Sequence, residues 1–104
     1  MVTVSTGNPV IAFSGEIDMS TVQVVSTTLE PLTGAGGPVT VDLSGVSFMD
    51  SSGVHALFTA AAALGDRGCI IVHGVDGSVN KVLRITGADS VPNIHVVGCS
   101  LLAA

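Results

Sequence analysis

The chain has 104 residues and a formal net charge of −5, with 47% hydrophobic but only 11% charged residues. This length accommodates one hydrophobic core, and the apolar fraction excludes a disordered chain swollen by its own charge. Only Arg67, Lys81 and Arg84 are basic, and Trp and Tyr are missing, so a nucleic-acid partner, which needs cationic surface and aromatic stacking platforms, is not expected.

The N-terminal part of the sequence predicts a β-hairpin followed by a helix. Strand-like runs at Val2–Ser5 and Val10–Ser14 are separated by residues 6–9, which carry turn chemistry. Asp18 or Ser20 is the expected N-cap of the helix, whose apolar face is formed by Val22, Val25, Leu29 and Leu32. Pro31 and the glycine-rich stretch of residues 34–38 are expected to end it.

Two more helices are predicted in the second half of the chain. The first begins near Ser52, follows a stripe of apolar residues at helical spacing and ends at Gly65. The second is short, has Ser78 as its expected N-cap and ends at Gly87. The apolar stripes consist of Val54, Leu57, Phe58, Ala61 and Leu64 in the first helix, and of Val79, Val82 and Leu83 in the second.

Strands are predicted around these helices at Val39–Leu43, Cys69–His73 and Ile94–Val97, with residues 44–47 as a loop. Strands that alternate with helices through short connections indicate parallel strands joined by right-handed crossovers. We therefore expect an α/β fold with a mainly parallel sheet, to which the N-terminal hairpin contributes an antiparallel strand. A single domain is expected to span residues 1–104.

One segment carries a specific motif. Residues 39–53 read Val-Thr-Val-Asp-Leu-Ser-Gly-Val-Ser-Phe-Met-Asp-Ser-Ser-Gly, a buried strand that leads to a phenylalanine and an Asp-Ser-Ser-Gly turn. This segment resembles the signature of the STAS family of bacterial anti-sigma factor antagonists. Residues 15–18 resemble the turn after the second strand of that family, and residues 79–87 resemble its third helix and glycine stop. Family members usually end in another amphipathic helix, whereas residues 98–104 leave room for about two turns.

The resemblance implies a partner-switching protein that is not an enzyme. An unphosphorylated member binds an anti-sigma factor that is also a serine kinase, which frees a sigma factor for transcription, and phosphorylation ends that binding. By position in the motif, Ser51 is the expected phosphate acceptor. The expected partner-binding residues are Asp18, Met49, Asp50, Ser52, Gly53 and His55. Catalytic residues, metal ions and cofactors are not expected.

A phosphate on Ser51 is compatible with the helix predicted to begin there. Helix N-termini have unpaired backbone N–H groups and favour anions, and a phosphate adds a charge of about −1.5 to −2. The fold should therefore survive phosphorylation. A partner docked on the turn, however, meets new bulk and negative charge beside Asp50, so only the interface is expected to switch.

Other interpretations of the same residues are open. By spacing alone, Ser51 and Ser52 are most simply helix caps, and a STAS scaffold or nucleotide-sensing module without a switch is the alternative function. A serine hydrolase is not expected, because Ser51 lacks the Gly-x-Ser-x-Gly elbow. His73 and His95 have no cysteine or carboxylate at ligand spacing, so a metal site is not expected either.

The remaining expectations concern location and assembly. The N-terminus lacks the pattern of a signal peptide, and the apolar run at residues 56–64 is too short to cross a bilayer, so a cytoplasmic protein without membrane contact is expected. Cys69 and Cys99 are expected to be free thiols, with a redox pair as the alternative. The short C-terminal segment is expected to leave apolar surface uncovered, which suggests a homodimer.

Overall fold

A sheet covered by a layer of helices forms the fold. The structure is a computed structural model that describes residues 2–6, 10–75 and 77–98. Within these residues, the strands are β1 (Val2–Thr6), β2 (Val10–Ile17), β3 (Gly37–Met49), β4 (Gly68–Val75) and β5 (Ile94–Gly98). The α-helices of the same residues are α1 (Val22–Ala35), α2 (Ser51–Leu64) and α3 (Gly77–Thr86).

The strands lie in the order β1-β2-β3-β4-β5, which is also their order in the chain. β1 pairs antiparallel with β2, and every later neighbour is parallel. Each parallel pair is joined through one helix, and right-handed crossovers between neighbouring strands place α1, α2 and α3 on the same face of the sheet. The α/β fold predicted from the sequence, with its parallel sheet and N-terminal antiparallel strand, is confirmed.

The core lies between the sheet and the helices. Successive side chains of a strand point to opposite faces, and alternate residues of the central strands are accordingly buried. Phe13 of β2, Val41 of β3 and Ile70 of β4 are all at most 1% exposed. The helix residues buried with them include Val25, Leu29, Val54, Leu57, Ala61, Leu64, Val79 and Leu83. Because aromatic residues are scarce, aliphatic side chains supply nearly all of this core.

β3 is longer than the sequence predicted. Residues 44–47 were expected to form a loop, but the strand continues through them to Met49. β2 keeps pairing with this extension through two register shifts, at each of which β3 has one more residue than β2. Gly45 permits the close approach, since a Cβ atom there would lie 2.8 Å from the Ser14 Cβ atom. The extension carries β3 to the same sheet edge as the end of β2.

The prediction that Pro31 ends the first helix is wrong. α1 includes Pro31 and continues to Ala35. Proline lacks the N–H donor but has a backbone φ that suits a helix, and Pro31 lies on the exposed side, where water can bond the carbonyl it leaves free. Arg67 supports the end of the helix, because its guanidinium donates to the Thr33 carbonyl at 3.3 Å and to the Ala63 carbonyl of α2 at 2.7 Å.

Several predictions fall on residues that the structure does not describe. The turn residues 7–9 and the C-terminal segment from Cys99 onward lie outside the described residues. The prediction that Ser78 is the N-cap of the last helix is wrong, because α3 begins one residue earlier, at Gly77. Among the helices within residues 2–6, 10–75 and 77–98, none is long and apolar enough to cross a membrane.

Candidate functional site

Two neighbouring strands end side by side, and each end is followed by an aspartate. Ile17, the last residue of β2, pairs with Met49, the last residue of β3, and both are 1% exposed. Asp18 and Asp50 come next in the chain. The Asp50 N–H donates to the Ile17 carbonyl at 3.1 Å, which fixes the second turn against the first strand. The strand register therefore places Asp18 and the Ser51 turn at the same edge of the sheet.

The two strand ends form the same kind of turn. In each, an aspartate Oδ1 accepts a hydrogen bond from the N–H two residues later, 2.9 Å from Ser20 and 2.9 Å from Ser52. The hydroxyl of that serine also donates to the same Oδ1, at 2.6 Å in the first turn and through a short bond in the second. The middle residues, Met19 and Ser51, are left exposed, and Met19 is 83% exposed.

Asp50 is the N-cap of α2. Its backbone is extended, and its carboxylate accepts from the Ser52 N–H, one of the donors that a helix N-terminus leaves unpaired. The interpretation of Ser51 and Ser52 as caps is therefore wrong, because the preceding carboxylate fills that role. Ser51 is the first helical residue, and its exposed hydroxyl makes no hydrogen bond within the described part of the chain.

We expect Asp50→Ala to lower the free energy of unfolding by about 1 kcal/mol, because the Ser52 N–H and hydroxyl both lose their acceptor. Asp50→Asn is the matched control, since an amide oxygen can still cap the helix, and it should cost less than half as much. Urea unfolding of the three proteins measures the difference. Equal losses from both substitutions would mean that the charge of Asp50, and not its hydrogen bond, stabilises the turn.

Gly53 brings α2 close to the ends of β2 and β3. A Cβ atom at this buried position would lie 2.6 Å from the Met49 Cγ atom and 2.8 Å from the Ile17 Cγ2 atom. Real Cβ atoms essentially never approach other heavy atoms so closely. A residue without a side chain thus allows the first turn of α2, with Ser51 on it, to rest directly on the two strand ends.

The first turn leads into α1 in a different way. The prediction of Asp18 or Ser20 as the N-cap is wrong, because α1 begins at Val22 and Thr21 holds the N-cap position without a side-chain cap bond. The Thr21 hydroxyl instead accepts from the Asp18 N–H at 2.9 Å and donates to the Glu16 carbonyl at 2.8 Å. Thr21 therefore links the turn back to the end of β2 through these two hydrogen bonds.

Hydrogen bonds lower the pKa of Asp18 from its ordinary value of 3.8, first through the Ser20 hydroxyl and then through the Ser20 N–H. A carboxyl with a depressed folded-state pKa stabilises the fold above its ordinary pKa, and this contribution is lost as the pH falls through the folded value. We expect Asp18 to titrate below 3.8 by carbon-detected NMR, and Ser20→Ala to raise that pKa. An unchanged pKa in Ser20→Ala would contradict the assigned cause.

An open groove of about 750 Å³ lies beside the second turn. Its lining includes Ser51 and His55, which lie one turn apart on α2, and Met19 of the first turn. Apolar side chains that include Val22 and Phe58 line much of its wall. Among the lining residues that the structure describes, there is no lysine or arginine, and the carboxylate is that of Asp50.

The structure separates the predicted partner-binding residues into two groups. Ser51, Ser52, His55 and Asp50 line the groove, and Asp18 lies in the adjacent turn. Met49 and Gly53 are buried, so they support the turn and offer a partner no contact surface; these two predictions are corrected. The groove residues that the sequence analysis did not assign to the site are Met19, Val22, Ser26, Val54, Ala56, Phe58, Thr59 and Thr86. The recurring Asp-x-Ser after both strands was the available signal for Met19.

Cys69 lies at the opposite end of the sheet from Asp18 and Asp50, because it is the second residue of a parallel strand. Cys69 is a free, half-buried thiol near the start of β4, while Cys99 lies outside the described residues. Gly98 of β5 pairs with Val75 of β4. Val75 lies six positions after Cys69 on the same strand, so the two ends of β4 are about 20 Å apart at roughly 3.3 Å per residue. Within residues 2–6, 10–75 and 77–98, no group of three or more His, Cys, Asp or Glu side chains is arranged to hold a metal ion.

Comparisons with known proteins bear on this arrangement. A family model described as "Mlab, STAS domain" matches residues 1–98. None of the curated proteins compared with the sequence shows significant similarity to it.

Solved structures share the fold. An anti-sigma factor antagonist from Mycobacterium paratuberculosis superposes with a TM-score of 0.77 at 23% identity, over 91% of this chain and 84% of that one. An anti-sigma-factor antagonist (STAS) domain protein from Planctomyces limnophilus gives 0.72 at 20% identity, over 98% and 95%. The Bacillus cell fate determinant SpoIIAA in its phosphorylated form gives 0.63 at 19% identity, over 93% and 91%. The family model covers nearly the whole sequence and these neighbours share its fold, so the chain belongs to the STAS domain family.

Proposed function

We propose that this protein is an anti-sigma factor antagonist switched by phosphorylation at Ser51. Unphosphorylated, it binds a cytoplasmic anti-sigma factor with serine kinase activity, and it releases that partner once Ser51 is phosphorylated. The observation that carries the proposal is the exposed Ser51 hydroxyl at the first position of α2, which makes no hydrogen bond to the described residues and lies beside an apolar groove. In this proposal, residues 1–104 act as one domain.

The choice of Ser51 among neighbouring serines follows from hydrogen bonding. The hydroxyls of Ser20 and Ser52 donate to the aspartates that precede them, at 2.6 Å in the first case and through a short bond in the second. A kinase needs a hydroxyl that can enter its active site and lose its proton. Ser51 meets this requirement without breaking a turn, because its hydroxyl makes no hydrogen bond within the residues described.

The charges around the groove favour release after phosphorylation. The phosphate adds a charge of about −1.5 to −2 beside Asp50, in a groove whose described lining has no lysine or arginine to pair with it. A partner that covers Met19, Val22 and Phe58 must strip water from that phosphate, and burying an unpaired charge is costly. The helix N-terminus tolerates the anion, so the domain itself stays folded.

The alternative is a STAS scaffold or nucleotide-sensing module that does not switch. It is favoured by the description of the matching family model, which names a STAS domain and not an anti-sigma factor antagonist. In that case Ser51 is simply the first residue of a helix capped by Asp50. The two functions differ in whether charge at Ser51 changes partner binding.

Affinity capture from the native cytoplasm tests the proposal. Ser51→Ala and Ser51→Glu serve as baits after circular dichroism has confirmed that both are folded, and bound proteins are identified by mass spectrometry. We expect the alanine bait to retain an anti-sigma factor with a kinase domain and the glutamate bait to lose it. Retention of the same proteins by both baits would support the non-switching alternative.

Homodimerisation stays a prediction. A second copy would have to cover apolar surface that the described residues leave exposed, such as Met19 at 83% or Ile85 at 74%. Light scattering at high protein concentration measures the mass directly, and a monomeric mass would exclude the dimer.

A further inference from the structure

The outer face of α3 combines two cations with an exposed aliphatic side chain. Arg84 lies three residues after Lys81, and Ile85 follows it directly. All three side chains therefore lie on the side of the helix opposite the buried Val79 and Leu83. Lys81 and Arg84 are exposed, and Ile85 is 74% exposed. An isoleucine this exposed buries little apolar surface against its own domain, so it contributes little to the stability of the fold.

Neither cation of this face has a partner in the described part of the chain. The third basic residue, Arg67, is occupied, because its guanidinium donates to carbonyls at the ends of α1 and α2. Lys81 and Arg84 make no such hydrogen bond or ion pair with the atoms that the structure describes, which do not include Asp76 or the side chains of Ser78 and Asp89. Together with Gly77, Asn80 and Ile85, they line an open cleft of about 400 Å³.

We propose that the outer face of α3 is a second docking surface, which binds an acidic amphipathic helix of a partner protein. Carboxylates of that helix pair with Lys81 and Arg84, and Arg84 can hold one through two parallel N–H···O bonds. An apolar side chain of the partner covers Ile85 and enters the cleft. Charge complementarity selects an acidic partner, and the isoleucine beside the cations selects an amphipathic one.

Magnitudes favour a protein segment over other anions. A basic residue near an anionic bilayer contributes about 1 kcal/mol, and polybasic lipid-binding segments usually carry about four to eight of them. Two cations on a chain of net charge −5 fall short of that. Two phosphate contacts likewise give nucleic acid little affinity at physiological salt. A docked protein helix holds its carboxylates within the Debye length of about 8 Å, where the local cations outweigh the net charge.

This surface is separate from the groove beside Ser51. Lys81, Arg84 and Ile85 do not line that groove, which α3 borders through Thr86 instead. A partner on the outer face of α3 therefore need not contact the phosphorylation site. The two proposals can fail independently, because substitutions on this face leave the residues around Ser51 unchanged.

The test uses two synthetic helical peptides with leucine on one face and either glutamate or lysine on the other. Fluorescence anisotropy measures their binding to the full chain. Lys81→Gln/Arg84→Gln removes the cations, and Gln23→Glu/Thr27→Glu, at exposed positions of α1, changes the net charge equally and serves as the control. We expect the glutamate peptide to bind, the Lys81/Arg84 variant to bind it about tenfold more weakly, and the control to stay within about twofold.

Ile85→Ser is expected to weaken binding of the glutamate peptide by about threefold or more. The salt dependence of binding should stay unchanged, because the substitution removes an apolar contact and no charge. The proposal is overturned if the control variant loses as much affinity as the Lys81/Arg84 variant, or if the lysine peptide binds equally well. It is also overturned if neither peptide binds, or if phosphatidylglycerol vesicles bind in a Lys81- and Arg84-dependent manner and the glutamate peptide does not.

Discussion

Ser51→Glu is expected to weaken binding of the anti-sigma factor by about 100-fold or more, which corresponds to about 2.7 kcal/mol. The carboxylate lies at the edge of the apolar groove beside Asp50, where a docked partner must desolvate it without a described lysine or arginine to pair with it. Ser51→Ala removes a hydroxyl that makes no hydrogen bond within the described residues, so its affinity should stay within about threefold.

The control for this prediction is Thr27→Glu, which places the same charge on an exposed position of α1 that does not line the groove. It should leave affinity within about twofold, because a carboxylate outside the groove lining can stay hydrated when a partner docks, and exposed charges contribute little. Isothermal titration calorimetry on the captured partner measures all of these proteins. Similar affinities for Ser51→Glu and Thr27→Glu would show that the partner does not cover Ser51.

Gly53→Ala is expected to lower the free energy of unfolding by about 1–3 kcal/mol, the usual cost of overpacking a core. Intrinsic helix propensity acts in the opposite direction, because alanine is favoured over glycine by about 1 kcal/mol in a helix interior. The new Cβ atom would lie 2.6 Å from the Met49 Cγ atom and 2.8 Å from the Ile17 Cγ2 atom, so either those side chains or α2 must move. Packing should therefore outweigh propensity.

Gly34→Ala provides the matched control for Gly53→Ala. Gly34 also lies in a helix, but no heavy atom of its surroundings lies within 4 Å of a Cβ atom built there. Helix propensity then acts alone, and the substitution should raise the stability by about 0.5 kcal/mol. Urea denaturation of both variants measures the pair, and a Gly53→Ala protein as stable as Gly34→Ala would contradict the close contact between α2 and the strand ends.

The pattern of strands and helices was predictable because it depends on local periodicity. The alternation of strands and helices indicated parallel crossovers, and the Asp-Ser-Ser-Gly turn placed Ser51 at a helix start. The extension of β3 was not predictable, since residues 44–47 pair with β2 only through two register shifts over a long sequence separation. Pro31 suggested a helix end, yet it is tolerated on the exposed side of α1.

The candidate site was predicted in its position but not in its contacts. The sequence analysis named Ser51 and Ser52 as caps and missed Asp50, because all three side chains have an acceptor that suits an N-cap. Three-dimensional register decided that Asp50 caps α2 and that Met49 is buried beneath the turn. The exposure of Met19 followed from a second turn of the same geometry, which requires knowing that the two strands end together.

Phosphorylation of this chain by the captured anti-sigma factor, with ATP as the phosphate donor, decides whether Ser51 is the switch. The purified partner is incubated with the wild-type chain and magnesium ATP, and intact-mass and fragment mass spectrometry locate the phosphate while size-exclusion chromatography follows the complex. The account predicts one phosphate on Ser51, loss of the complex and an unchanged circular dichroism spectrum, with no transfer to Ser51→Ala. A phosphate on another residue, or a complex that persists after Ser51 is phosphorylated, would contradict it.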